Sequence, residues 1–398
     1  MGLALEPGVI NEVEAQLGFS RPEEVTGDHE DRGLKRATTR PLDSEFTQQF
    51  EYRSCKVRDW SAPGEAALNL QKMGFESIDL AGIEKLQTLL SQIREAGEIG
   101  LQEARHLRRR LTGAVFPLAG GKCLKLLNIA PEGLIMRKGG PNGLKIDPDL
   151  KMTGMNGHDV ALAVHGDQDV RGTPLKQIMR GFAPRLFRHQ TPDGANNFSP
   201  LVLVNMWIPL QQITRPLTLM DRSTLNAREH QLRYALPTDS FLDRSEDMSV
   251  NDSWTFLHDD AQQWYFHSHM THDQAYVFDT LGEPHGSFIL PGEDIAEHYY
   301  LELQRMCNQL RLGESAKPRV ITARDLPSTS TAPLRRAIET MAGLCSSVPL
   351  ENQGQPAVEV WLTRASEAMD SVVRKSIEMR VVALVLPNVW PFNRGLVS

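Results

Sequence analysis

A mainly β architecture with accessory α-helices is the fold class this sequence predicts, on three observations. Apolar stretches of strand length recur through the chain: Leu124 to Ile129, Leu134 to Arg137, Val160 to Val164, Leu201 to Ile208, Pro216 to Met220, Ala275 to Phe278, Gly286 to Leu290 and Ile377 to Leu386. Turn-forming clusters divide them, including Gly139-Gly140-Pro141-Asn142-Gly143 and Pro192-Asp193-Gly194. The strand–helix alternation of a parallel sheet is missing from the middle of the chain, as are Gly-x-Gly-x-x-Gly and phosphate-loop patterns. Together these favour an antiparallel double-sheet jelly roll, the cupin-like double-stranded β-helix.

In chain order, residues 1–45 are polar and charge-mixed and offer few apolar side chains to offset the entropy of ordering, so an extended or mobile arm is expected there. Residues 46–398 are expected to form a single β-helix domain. Within it, Ile83, Leu86, Leu89, Leu90 and Ile93, and after Gly97 the residues Leu101, Ala104 and Leu107, recur at helical spacing and predict amphipathic helices covering a sheet. The basic run from Arg105 to Arg110 suits the C-terminal end of such a helix, where cations are favoured. Residues 292–370 change character: helices are predicted from Glu293 to Met306 and from Pro333 to Ala342, joined through Ser328-Thr329-Ser330-Thr331. This is a helical insertion between two core strands, placed to carry substrate specificity or to form a homodimer contact.

Composition narrows the function. With 398 residues, 40% of them hydrophobic and 23% charged, the chain can bury a large core as a globular protein. A net charge of −7 is too mild to point to nucleic acid or a membrane surface and is compatible with a small-molecule substrate, free or carrier-bound, as partner. Cys55, Cys123, Cys307 and Cys345 are widely separated, which argues against a zinc ribbon or a disulfide framework and for reduced thiols in a cytoplasm. The first residues carry no basic segment followed by an apolar one, and Glu6 stands where a myristoylation signal needs Ser or Thr.

The chemistry-bearing stretch is Val164-His165-Gly166-Asp167-Gln168. Side chains two apart on an extended strand share a face, so His165 and Asp167 offer an imidazole and a carboxylate together. These are two of the three ligands of a facial site for ferrous iron, which leaves positions open for dioxygen and a cosubstrate. Pro284-His285-Gly286-Ser287-Phe288 supplies a candidate third ligand, His285, and Arg374-Lys375-Ser376 supplies a cation and a hydroxyl on one strand face for an acidic cosubstrate. Two alternatives stay open on the residues alone. Arg380 lies on the same face as Arg374, and His267 and His269 form a second same-face pair.

These stretches, with Asn205-Met206-Trp207-Ile208-Pro209-Leu210, Pro216-Leu217-Thr218-Leu219-Met220-Asp221-Arg222-Ser223, Gln263-Trp264-Tyr265-Phe266 and Met270-Thr271-His272-Asp273, carry a resemblance. Over roughly residues 160–386 the chain resembles the asaB-type hydroxylase/desaturase family of natural-product pathways, which includes gibberellin desaturase-like proteins. The resemblance implies a double-stranded β-helix that uses Fe(II), 2-oxoglutarate and O2 to oxidise a small secondary metabolite. It places iron on His165, Asp167 and His285 and the cosubstrate carboxylate on Arg374, with Ser376 beside it. Ile208 departs from the arginine the family commonly carries there, and the stretch from His285 to Arg374 is longer than usual. A non-redox metal enzyme of cupin type and a non-catalytic binding or assembly subunit are the rival readings.

Overall fold

Polarity along the last long strand sets the layering. In β19 (Arg374–Pro387), Ile377, Met379, Val381, Ala383 and Val385 point one way into a buried apolar cluster. Arg374, Ser376, Glu378 and Arg380 point the other way, into the space between two sheets, as the two-residue period of a strand requires. A computed structural model describes residues 12–27, 35–37, 50–62, 67–146, 154–172, 175, 179–237, 250–317, 326–349 and 355–392.

Among the described residues the larger sheet takes β1 (Glu12–Ser20), β2 (Val25–Gly27), β3 (Lys35–Ala37), β4 (Phe50–Asp59), β8 (His165–Gly166), β12 (Leu217–Met220), β13 (Gln231–Pro237), β14 (Val250–Phe256), β15 (Trp264–Phe266) and β18 (His285–Ser287). The second sheet takes β5 (Phe75–Asp79), β6 (Val115–Leu118), β7 (Lys122–Gly139), β11 (Leu201–Gln212), β16 (Met270–Thr271), β17 (Gln274–Asp279) and β19, while β9 (His189–Thr191) and β10 (Gly194–Asn196) form a separate hairpin. At its heart lie two antiparallel four-stranded faces, β15-β12-β18-β8 and β17-β11-β19-β7. The chain crosses between them at every step except β12 to β15. That winding is a jelly roll, the double-stranded β-helix expected from the sequence.

Helices cover both outer faces. Leu86, Leu89, Leu90 and Ile93 of α1 (Glu84–Ala96) and Ala104, Leu107 and Leu111 of α2 (Leu101–Leu111) pack on the outward side of β7, β11 and β19. The insertion forms α3 (Glu293–Arg311), α4 (Ala332–Ser346) and α5 (Gln355–Ser371), which join Trp254, Phe256, Trp264 and Phe266 in one core on the other side. The third of these helices was not expected. Its buried residues are few, and two of the three, Ala365 and Ala368 beside Trp361, are small, so the periodic signal is weak.

Two expectations change. The N-terminal arm contains a core strand: β1 pairs with β4 over its whole length and buries Val13, Ala15, Leu17 and Phe19, whose alternation with charged Glu12 and Glu14 makes this end of the chain look polar on average. Residues 1–11, 28–34 and 38–45 of the proposed arm lie outside the described residues. The run Val160 to Val164 is not a strand; it meets the larger sheet through a single parallel bridge, Gly18 to Ala163, and a 2.8 Å bond from Val164 N–H to Gly18 O. Among the described residues no helix is long and apolar enough to cross a membrane.

Candidate metal centre

β8 and β18 lie side by side in the larger sheet with His165 directly opposite His285, so two imidazoles far apart in sequence become cross-strand neighbours. Their rings sit 4.3 Å apart. Asp167, two residues beyond His165, completes the group: the ligand atoms of His165, Asp167 and His285 all lie within 4.8 Å of one another. His267 and His269 do not join them. The His267 ring instead packs on Trp60, and its Nδ1 accepts the His269 N–H at 3.2 Å.

Hydrogen bonding decides what the two imidazoles present. His165 Nδ1 lies 2.9 Å from Ala163 O and His285 Nδ1 lies 3.0 Å from Glu283 O. A carbonyl oxygen only accepts, so each Nδ1 donates and each Nε2 keeps its lone pair. Backbone carbonyls two residues upstream thus fix both tautomers and both ring planes, as the outer contacts of a metal-bound histidine do.

Charge is arranged to match. Burial, reinforced by His285, lowers the His165 pKa to about 4, so its ring is neutral at pH 7. Burial would push the Asp167 carboxyl up, but His285, Arg380, His165 and a 3.0 Å bond from Asn205 Nδ2 outweigh it and hold the pKa at about 2. The neutral His165 ring, the inward-facing Nε2 of His285 and an ionised carboxylate form a donor set suited to a ferrous ion.

Arg374 enters the same interior from β19 and is 1% exposed. Its Nη1 donates to Arg215 O at 2.8 Å and to Ser287 Oγ at 2.6 Å, its Nη2 to Ser376 Oγ at 3.4 Å, and its guanidinium lies 5.1 Å from the Trp207 ring. All these partners are neutral. Burial lowers its pKa to about 9, which still leaves it cationic at pH 7. Its Nε and the buried indole Nε1 of Trp207 have no hydrogen-bond partner. A desolvated cation beside unpaired donors fits an anion, and Ser287 sets its distance, because Ser287 is two residues from His285 on the same face of β18.

Arg380, the other candidate cation, lies 4.0 Å from Asp167 and lines a cavity of about 590 Å³ with His165, Asp167, Arg137, Phe50, Tyr52 and Trp254. Sequence reasoning missed Arg137, whose Nε pairs with Glu378 at 2.7 Å and whose Nη1 donates to Asp159 O. It also left Arg215 and Glu293 unassigned. The signal for the Arg137–Glu378 pair was the alternation of polar residues along β19, which marks Glu378 as inward-facing.

In comparisons with known proteins, a family model described as YDMC, oxidoreductase/YMDC permease-like domain, matches residues 160–291, about a third of the chain. No curated protein matches the sequence. Among solved structures, a variant of the iron and alpha-ketoglutarate-dependent endoperoxidase NvfI is similar at 14% identity over 95% of this chain and 98% of that one, with a TM-score of 0.47. The same enzyme without the substitution gives 14% identity, 94% and 98% coverage and a TM-score of 0.43. In a different conformation it gives 14%, 95% and 99%, and 0.46. At that distance the fold rests on strand pairing and the site on its own geometry.

Proposed function

We propose that this chain is an iron(II)/2-oxoglutarate-dependent oxygenase that hydroxylates, desaturates or cyclises a small secondary metabolite, as members of the asaB-type family do. One observation carries the reading. His165, Asp167 and His285 converge on the inside of a jelly roll, and a buried arginine whose hydrogen bonds go to neutral oxygens is tied to the strand of the second histidine.

In this reading His165 Nε2, His285 Nε2 and the Asp167 carboxylate hold the metal, and Arg374 and Ser376 hold the distal carboxylate of 2-oxoglutarate. Iron with 2-oxoglutarate and O2 supplies an oxidant able to take hydrogen from an unactivated carbon. The protein's own work is placement. Asn205 keeps one Asp167 oxygen turned to its amide, Ala163 O and Glu283 O hold the rings, and Phe278, 4.6 Å from the His285 ring, helps keep water off that side. The cavity lined by Phe50, Tyr52 and Trp254 receives the substrate.

The test is succinate release by purified protein supplied with Fe(II), 2-oxoglutarate and O2. Release that needs all three, and is abolished in His165→Ala and His285→Ala, is the expected result. Metal-dependent turnover without 2-oxoglutarate would favour a non-redox enzyme, and no metal-dependent turnover a binding subunit.

A further inference from the structure

The helical insertion is keyed into the barrel by one buried carboxylate. Glu293, the first residue of α3, is 0% exposed and is held by backbone N–H groups rather than by an ion pair. Its Oε1 accepts from Arg215 N–H at 2.7 Å and Leu290 N–H at 2.9 Å, and its Oε2 accepts from Asn142 N–H at 2.8 Å. One turn along the helix, Glu297 Oε2 accepts from the Asn142 side chain at 2.7 Å.

Both clamped turns pass through the left-handed region: Asn142 (φ 53°) is a residue type that tolerates it, whereas Arg215 (φ 47°) carries a long side chain that adopts it only where its surroundings hold it there. Glu293 accepts the backbone N–H of both. Arg215 is also the residue whose carbonyl receives Arg374 Nη1, so one peptide unit joins the carboxylate on its N–H side to the guanidinium on its C=O side. Thr214, its neighbour, ties the same turn to Val372 O, two residues before Arg374.

We propose that Glu293 is a positioning residue for Arg374, and that through it the insertion contributes to selecting a cosubstrate with a distal carboxylate. This rests on the oxygenase reading. Without the Glu293 clamp, Arg215 relaxes out of the left-handed region, its carbonyl swings away, and the fork on Arg374 loses one of its anchors. Metal binding, whose ligands lie on β8, β18 and the residues just after β8, is left alone.

The experiment is calorimetric binding to the full-length protein loaded with Mn(II) under anaerobic conditions. 2-Oxoglutarate is compared with pyruvate, which has the 2-oxo acid group and lacks the distal carboxylate. Wild type is expected to prefer 2-oxoglutarate, and Arg374→Ala to lose that preference. Glu293→Ala is expected to weaken 2-oxoglutarate about tenfold, the loss of one charge-assisted hydrogen bond's worth of orientation, while pyruvate binding is unchanged. A general packing defect would weaken both ligands alike, and that result overturns the proposal. If Glu293→Ala does not fold, Glu293→Asp, whose shorter side chain draws the acceptor back from Arg215 N–H, carries the test, with at least a threefold loss of preference expected. Preference lost in Arg374→Ala but intact in the Glu293 variant overturns the role of Glu293 alone. A wild-type protein without preference overturns the oxygenase reading and this proposal with it.

Discussion

Two arginines on one face of one strand are candidates for the anion of the proposed cosubstrate, and their surroundings differ. Arg380 stands 4.0 Å from Asp167 and has a side chain 27% exposed, whereas Arg374 is sealed in, hydrogen-bonded to neutral oxygens and set beside an indole. The prediction is asymmetric. Arg374→Ala should raise the KM for 2-oxoglutarate at least tenfold, since a charge-assisted bidentate contact contributes on the order of 1.5–3 kcal/mol per bond. Arg380→Ala should leave that KM within about threefold and instead raise the Asp167 pKa, because Arg380 is among the groups that depress it. Steady-state kinetics with varied 2-oxoglutarate separates the two; a larger KM effect from Arg380 would exchange their roles. His165 and Asp167 were legible because a strand's two-residue period is visible in any sequence. His285 needed context, and Arg215 and Glu293 were invisible because they act through backbone groups, which carry no residue signature.

Two of the proposed ligands, His165 and Asp167, contribute to acid stability. His165 has a folded pKa of about 4 against an ordinary 6.5, so the folded state binds fewer protons than the unfolded one between those values. Stability is therefore full above about pH 6.5 and falls as pH drops toward 4; Asp167, held at about 2 against 3.8, adds a further loss below pH 4. Each contributes on the order of 1–3 kcal/mol. Urea unfolding of metal-free protein from pH 7 to 4 should show this decline as the difference between wild type and His165→Asn, wild type losing more stability than the variant as pH falls. Wild-type and variant curves that run parallel over that interval would remove the basis for a buried neutral imidazole.

At the scale of elements, the strand and helix periods of β19, α1 and α2 were readable because each has a long stripe of large apolar residues facing a single cluster. β1 was hidden by its outward Glu12, Glu14 and Gln16, and by the polar sequence that surrounds it. Yet Leu17 and Phe19 are 0% exposed in the same cluster as Trp254 and Trp264, and the Gly18 carbonyl anchors Val164 immediately before His165. The strand therefore braces the first metal-ligand candidate. Leu17→Ala should cost about 2–5 kcal/mol, typical of emptying a packed site, measured as a lowered urea midpoint. A loss below 1 kcal/mol would show that β1 is an ornament on the sheet rather than part of its core.

At the scale of the whole molecule, the proposed ligands come from strands that are adjacent only in the closed jelly roll: β8 near the start of the winding, β18 near its end, and β19 after a helical insertion. No local piece of chain holds the complete set, so a metal and its cosubstrate bind the assembled barrel and not the unfolded chain. Ligand that binds only the native state stabilises it by about 2.7 kcal/mol at a hundredfold excess over Kd. Thermal unfolding should therefore rise by a few °C with Mn(II), and by more with Mn(II) and 2-oxoglutarate together than the two give separately, because in the proposed reading the cosubstrate would be held by the metal at one end and by Arg374 at the other. Arg374→Ala should keep the metal's increment and lose the cosubstrate's, whereas His285→Ala should lose both. An increment from 2-oxoglutarate that persists in His285→Ala would place the anion at a site independent of the triad and break the link between the two halves of the proposed centre.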